Sequence, residues 1–439
     1  MKDKNMKLFE KISRRDFFKN AALKTMFAGI TLSGLKRDGT IKNFFVNRLP
    51  QKKKISIKSY RNLGNTGFKV SDISFGAGHI TDGTVVRYAV DCGVNYIDTA
   101  PVYGRSEVLI GEVLKEKRKE VFIATKFNSR AWRTENPKEL KKNLKESLER
   151  SLKDLRTDYL DAILIHSASE RRMKSDEMHE VFENAKMEGK VKYSGVSVHS
   201  SETGKVVKQF FKDDSMKILT PVYNYLSEKD VSEDIKRAAE KGTAVVAMKT
   251  RMGAYLERIP GWDKQPLGED FESLSLSKKR SRMVNFVHSG RKFTVDFNRS
   301  TYKWVLSNPY VSTLITSFRT FDDVNNFLPA SGEKFGYRDK KILDNYTTLV
   351  WNKYCRIGCD ICHSYCPKGV PINDILRSQM YYENYGDKRA AVSEYSDLPK
   401  DKLGDNCFNC DAPCQKSCPY GIEIKERLLQ SHKMLSLNC

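Results

Sequence analysis

Several things are scarce in this chain, and each absence removes a class of function. No apolar run approaches the about 20 residues that a bilayer-spanning helix needs, and no low-complexity segment or internal repeat beyond a β-α unit appears. With 39% hydrophobic and 30% charged residues, the composition is that of a globular protein, neither disordered nor membrane-spanning. A basic stripe is also missing. Lysine and arginine total 77 against 55 acidic residues, a net charge of +22, but the excess is spread along all 439 residues. A nucleic-acid footprint would be clustered, so nucleic acid is not an expected partner. The densest runs, "QKKK" at 51–54 and "KKRSR" at 278–282, read as solvated loop charge. Their second reading is docking to an acidic partner or a membrane surface.

Cysteine is nearly absent from most of the chain: of ten, only Cys92 and Cys439 lie outside two short runs. Cys92, in "YAVDCGVNYID", reads as a buried helix thiol. The other eight stand in "CRIGCDICHSYCP" at 355–367 and "CFNCDAPCQKSCP" at 407–419. Disulfides, zinc and iron-sulfur clusters all use crowded thiols, but zinc usually takes two short pairs separated by a loop of roughly 12 to 20 residues. Here Cys355, Cys359, Cys362 and Cys366 form one run closed by Pro367, and Cys407, Cys410, Cys414 and Cys418 form another closed by Pro419. A compact run ending in Cys-Pro is the iron-sulfur pattern, so two 4Fe-4S clusters are expected. One gap in each run is a residue longer than in the two-two-three spacing of bacterial ferredoxins, which leaves cluster type open. In two-cluster ferredoxins the fourth cysteine of each run serves the other cluster, which would exchange Cys366 and Cys418.

The N-terminal "SRRDFFKNAALKTMFAGITLSGL" carries Arg14 and Arg15, then Phe17, Phe18 and Lys19, and resembles a twin-arginine export signal. The alternative is an ordinary amphipathic helix. No clear Ala-x-Ala cleavage site follows, so the leader is expected to stay attached, with the protein periplasmic or held at a membrane periphery. Twin-arginine export carries proteins already folded around their cofactors, which is what cluster proteins require, and it weakens the disulfide reading.

From about 58 to 328 short apolar runs alternate with amphipathic segments, as in repeated β-α units around a parallel sheet. Eight runs read as strands: "VSDISFGAG", "NYIDTA", "VFIATKF", "YLDAILIH", "YSGVSVH", "ILTPVYN", "AVVAMKT" and "VSTLITS". The fold class predicted is α/β, a (β/α)8 TIM barrel with a small C-terminal ferredoxin-like iron-sulfur domain. Its parts are a leader at 1–35, a basic linker at 36–57, the barrel at 58–330 and a helical two-cluster domain at 331–439. A helix is expected after Asn136 and Pro137, with Leu140, Leu144, Leu148, Leu152 and Leu155 as its core stripe. The connection from Arg251 to Asn298 is too long for a turn; it reads equally as a lid, a landing pad for the cluster domain or a tolerated insertion.

The segments "YRNLGNTGFKVSDISFG" and "DTAPVYGRSEVLIGEVL", followed in order by "ATKF", "LIH", "GKVKYSGVS" and "YKWVLSNPYVSTLITSFRT", make the chain resemble an aldo/keto reductase. With both cysteine runs appended, it resembles the exported, iron-sulfur-containing branch of that family. Asp98, Tyr103, Lys126 and His166 fall at or just past the C-terminal ends of the second to fourth strands, where barrel enzymes keep their chemistry. Reducing a carbonyl leaves an alkoxide that needs a proton. Tyr103 is the expected donor, Lys126 the cation lowering its pKa and Asp98 the group holding the ammonium. His166, as the resemblance implies, donates to the substrate oxygen or relays the proton. Singly, each has a plainer reading: a structural ion pair for Asp98 and Lys126, a rim aromatic for Tyr103, a satisfied core histidine for His166. His199 either contacts substrate or is a loop histidine.

For an NADP(H) cofactor the resemblance implies Ser197, Thr220, Met248 and Lys249 around the nicotinamide and Ser317 and Arg319 at the phosphate and adenosine end. The match is incomplete: Val198 stands where the family has asparagine, Thr220 replaces a glutamine, Met248 a stacking tyrosine and Phe327 an asparagine. The function expected is an oxidoreductase interconverting an aldehyde or ketone, a sugar among them, with its alcohol. Its electrons come from NADP(H), from a redox partner protein through the clusters, or from both. The rivals are an electron-transfer or partner-binding module on an inactive barrel, and a reductase with a zinc-bound tail.

Overall fold

The computed structural model describes residues 55–227, 229–251, 275, 278 and 294–436. The expected leader, most of the linker and the greater part of the 251–298 connection lie outside the described residues. From Ile55 onward the chain forms one compact unit.

A two-stranded hairpin comes first, β1 (Tyr60–Asn62) antiparallel to β2 (Lys69–Ser71). The barrel strands follow as β3 (Ile73–Gly76), β4 (Tyr96–Asp98), β5 (Phe122–Lys126), β6 (Leu160–Ile165), β7 (Val191–Val198), β8 (Met216–Pro221), β9 (Ala244–Ala247) and β10 (Thr313–Thr316). They close in the order β10-β3-β4-β5-β6-β7-β8-β9, every pairing parallel. Each of the eight apolar runs holds one strand, β7 and β8 each beginning two residues before the run expected for it. The hairpin was not foreseen; its Leu63 and Val70 pack with Tyr96, Phe122 and Ala244 at the strand beginnings and stop the barrel's N-terminal end. Gly64 makes that seat possible. Its φ is +50°, and a Cβ there would stand 2.4 Å from the Ala244 backbone nitrogen.

The leucine-striped helix runs Pro137–Asp154, with the Asn136 side chain accepting from the Lys138 and Glu139 amides. Leu144, Leu148 and Leu152 are buried on its inner face. Inside the barrel, side chains at i and i+2 share a face. Tyr96 and Asp98 on β4, Phe122, Ala124 and Lys126 on β5, and Ala162, Leu164 and His166 along β6 therefore line up from an apolar floor to a polar rim, as burial at the floor confirms.

The cysteine-rich part is helical, with no strand among its described residues. Helices Tyr337–Val350, Ile372–Met380, Lys388–Ser396 and Ile424–Leu435 surround their own apolar core, to which Cys362, Cys407 and Cys414 belong. This part covers the C-terminal end of the barrel. Helix Ile372–Met380 has every residue buried, its polar side included. Asp374 accepts from the Ser201 hydroxyl at 2.5 Å, and Arg377 donates to the His199 carbonyl at 2.6 Å. Further out, Tyr225 donates to Asp344 at 2.7 Å and Arg133 pairs with Asp397 at 2.6 Å.

Candidate active site

The rim of the barrel brings the four expected residues together. Lys126, at the end of β5, donates to Asp98 at 2.7 Å and to the Thr99 carbonyl at 2.8 Å, and both partners of the ion pair are buried. Its ammonium lies 5.1 Å from the centroid of the Tyr103 ring. Tyr103 sits on a turn beyond β4, its amide bonded to the Ala100 carbonyl at 3.0 Å and its own carbonyl accepting from Ser106 at 3.2 Å. That turn is closed by the Thr99 and Ser106 hydroxyls, 2.8 Å apart. The His166 ring meets the Tyr103 ring edge-on, with centroids 5.7 Å apart and planes at 88°.

Electrostatics modifies one expectation. Burial is the strongest influence on Tyr103 and raises its pKa; Lys126 pulls the other way but does not win. The phenol is thus neutral, as a proton donor must be. Burial pulls Lys126 down as well, but Asp98 and Tyr103 outweigh it and keep the amine cationic. His166 is held well below the usual histidine range, by burial first and then by Lys126, Arg172 and Lys249. His199 is depressed likewise, by burial and then Lys249 and Arg377.

A pH dependence follows from the two histidines. Between pH 6.5 and their lower folded values the unfolded chain binds more protons, so stability falls as pH falls through 6.5. The melting temperature is expected to drop between pH 7.5 and 5.5, less steeply in a His199→Gln variant; an unchanged slope would contradict the depressed value.

His199 joins the site through its ring, whose Nε2 lies 2.9 Å from the Ser167 hydroxyl. Ser167 and Lys249 both hold left-handed backbone, with φ of 48° and 52°, at strand ends facing the pocket. Non-glycine residues adopt that conformation at a cost, and it clusters at functional sites. Asp98 Oδ2, His166 Nδ1, His199 Nδ1 and Thr220 Oγ1 are buried with no hydrogen-bond partner among the described residues.

The residues expected around a nicotinamide fit that role poorly. The Ser197 hydroxyl turns onto Met248 Sδ at 3.9 Å, the Thr220 hydroxyl is enclosed, and the Lys249 ammonium is taken by the Tyr381 hydroxyl of the cysteine-rich part. Ser317 keeps partial exposure and Arg319 is exposed, its amide bonded to Asp323.

The eight cysteines gather in two groups. Cys359, Cys362 and Cys418 each bear electrostatically on Cys355, while Cys366, Cys410 and Cys414 bear on Cys407. A recess is lined by Cys366, Cys407, Cys410 and Cys414, with Val370 and Leu428 as its apolar wall. Cys366 and Cys418 therefore each stand with the other run. None of the eight is in a disulfide. Among the described residues no three His, Cys, Asp or Glu side chains converge as the ligands of a single ion do. Cys92 is buried, as expected.

Four contributors escaped the sequence: Asp374, Arg377, Tyr381 and Glu394. Arg377 pairs with Asp374 at 2.5 Å and Glu394 at 3.1 Å. No motif in the sequence marks them.

The chain is similar to known proteins of one family. The model of the aldo/keto reductase family matches residues 77–344. An uncharacterised oxidoreductase of Bacillus subtilis, YqkF, is 25% identical over 309 residues, covering 65% of this chain and 96% of its own. The L-galactose dehydrogenase of Arabidopsis thaliana is 25% identical over 300 residues, covering 62% and 88%. A solved aldo-keto reductase from Bacillus halodurans aligns at 23% identity with a TM-score of 0.48, over 66% of this chain and 96% of its own. With a closed parallel barrel and a match across more than half its length, this chain belongs to the aldo/keto reductase family and is an oxidoreductase of that type.

Proposed function

We propose that the protein interconverts a carbonyl with its alcohol and exchanges the electrons through two 4Fe-4S clusters. Cys355, Cys359, Cys362 and Cys418 would hold one, and Cys366, Cys407, Cys410 and Cys414 the other. The observation that carries this reading is helix Ile372–Met380. At its start the Asn373 amide donates to Cys355 Sγ at 3.0 Å, and one turn later Arg377 donates to the His199 carbonyl at 2.6 Å. One buried helix thus touches both a cysteine of the first group and the strand end beside His166.

Reduction of a carbonyl takes two electrons and two protons, one for oxygen and one, drawn from solvent, for the new C–H bond. The clusters, when bound, supply electrons one at a time. Tyr103 holds the proton that reaches the substrate oxygen, Lys126 stabilises the phenolate left behind, and Asp98 with the Thr99 carbonyl fixes the ammonium. Neutral His166 orients the oxygen.

A donor comparison tests the electron route. Under anaerobic conditions a reduced viologen should support carbonyl reduction and NADPH should not; turnover with NADPH alone would sink the cluster route. The rival, a barrel kept as scaffold, is favoured by the Ser197–Met248 contact, and loss of all turnover with both donors would establish it. The dehydrogenase relative makes a sugar-like polyhydroxy substrate the natural first trial, with a redox protein as the physiological electron partner.

The leader reading belongs to the same proposal: export by the twin-arginine route to the periplasm or its membrane surface. Replacing Arg14 and Arg15 with lysine should leave the protein in the cytoplasm. Undiminished export of that variant would end the idea. Among the described residues no helix is long and apolar enough to cross a membrane.

A further inference from the structure

One cation in the barrel mouth has no carboxylate paired with it among the described residues. Lys249 follows Met248 just past β9, and its ammonium donates to the Tyr381 hydroxyl and lies 4.4 Å from that ring's centroid. Among the described residues no carboxylate stands within ion-pair distance of it: Asp98 is taken by Lys126, and Asp374 and Glu394 by Arg377. Asp387 instead caps the helix that follows, accepting from the Ala390 amide at 3.1 Å.

Lys249 and Tyr103 share a second property. Both keep some accessible surface, and yet burial is the strongest influence on each. A group that is at once deep and accessible lines a cleft. Both stand past the C-terminal ends of barrel strands, Tyr103 beyond β4 with its ring against His166 and Lys249 beyond β9 with its ammonium on Tyr381, so they face the same mouth of the barrel. An ammonium removed from water without a paired carboxylate is costly, and a ligand anion reduces that cost.

We propose that Lys249 and Tyr381 form a carboxylate subsite beside the Tyr103 proton donor, so that the substrate is an oxo or hydroxy acid, sugar acids included. The inference rests on the carbonyl–alcohol chemistry proposed for this pocket. Lys249 has three protons to give and spends one on Tyr381; Tyr381 then has its own proton to donate. One carboxylate oxygen would be met by the ammonium and the other by the phenol, leaving the neighbouring carbonyl for Tyr103. On this reading the cysteine-rich part contributes a binding residue as well as a cover.

Burial pulls Lys249 down to about 8, with Glu394 and Asp387 raising it and Arg377 lowering it. Of the other titratable groups around it, His79, His166 and His199 are all depressed, and Tyr103 and Tyr381 are both raised. Lys249 is therefore the group that discharges first as pH rises above neutrality. Anion affinity should decline above a pH of about 8, approaching tenfold per unit.

The other anion able to reach this ammonium is a dinucleotide phosphate, and the experiment separates the two. Oxamate, its neutral ethyl ester and NADP+ are titrated calorimetrically into the anaerobically purified full-length protein and into Lys249→Met, Lys249→Arg and Tyr381→Phe. Oxamate should bind about tenfold or more tightly than the ester, and Lys249→Met should remove that preference. Lys249→Arg should retain it, and Tyr381→Phe, which deletes one oxygen from a ring that keeps its packing, should weaken oxamate about threefold or more. Equal binding of oxamate and ester, no oxamate binding at all, or a Lys249→Met variant that loses NADP+ instead of oxamate would overturn the assignment. None of these readouts needs turnover, so the subsite can fail while the Tyr103 chemistry stands.

Discussion

Replacing Tyr103 with phenylalanine should lower kcat/KM for carbonyl reduction by about 10²–10⁴-fold, the usual worth of a positioned general acid. The ring keeps its edge-on contact with His166 and its place 5.1 Å from the Lys126 ammonium. Only the hydroxyl is lost, so the melting temperature should hardly move. Steady-state kinetics on a carbonyl substrate, with thermal unfolding as the control, decides the matter. Turnover that survived the change would mean that the proton comes from elsewhere, and would remove the reason for reading these four residues as one device.

The second large effect is expected at Lys126, because its charge is buried with a single ionic partner. Lys126→Met would strand Asp98, whose pKa burial already raises, and leave its carboxylate without compensation. Breaking such a pair costs about 3–5 kcal/mol, whereas replacing both members with apolar groups is often neutral. Denaturant unfolding should therefore show Lys126→Met strongly destabilised and the Lys126→Met/Asp98→Leu double variant substantially recovered. Activity should be lost in both. A double variant that regained activity along with stability would show the pair to be structural only.

The barrel was legible because its signals are local. Each of the eight strands is a short apolar run, and period-two alternation carries Asp98, Lys126 and His166 to one rim. The cysteine runs were legible for the same reason, their spacing being sequential. Helix Ile372–Met380 was not. Ile372, Ile375, Leu376 and Met380 mark one apolar face, but Asn373, Asp374, Arg377 and Gln379 look like a solvated one, and only packing against the barrel reveals that they too are buried. Tyr381 was missed with them: nothing in "MYYENYG" distinguishes the tyrosine that meets Lys249 from its neighbours. The pKa of Tyr103 was misjudged because sequence shows the nearby cation but not the depth of burial, which acts more strongly.

The covering helices also give the two halves of the molecule a common fate. Arg377 is buried, and although burial works against its charge, Glu394 and Asp374 hold it firmly cationic.

The most direct measurement is a determination of iron, acid-labile sulfide, zinc and dinucleotide on one anaerobically purified sample of the full-length protein. Two 4Fe-4S clusters predict about eight irons and eight sulfides per chain, with little zinc and no stoichiometric dinucleotide. Stoichiometric zinc with little iron would contradict the account and leave a reductase with a structural tail.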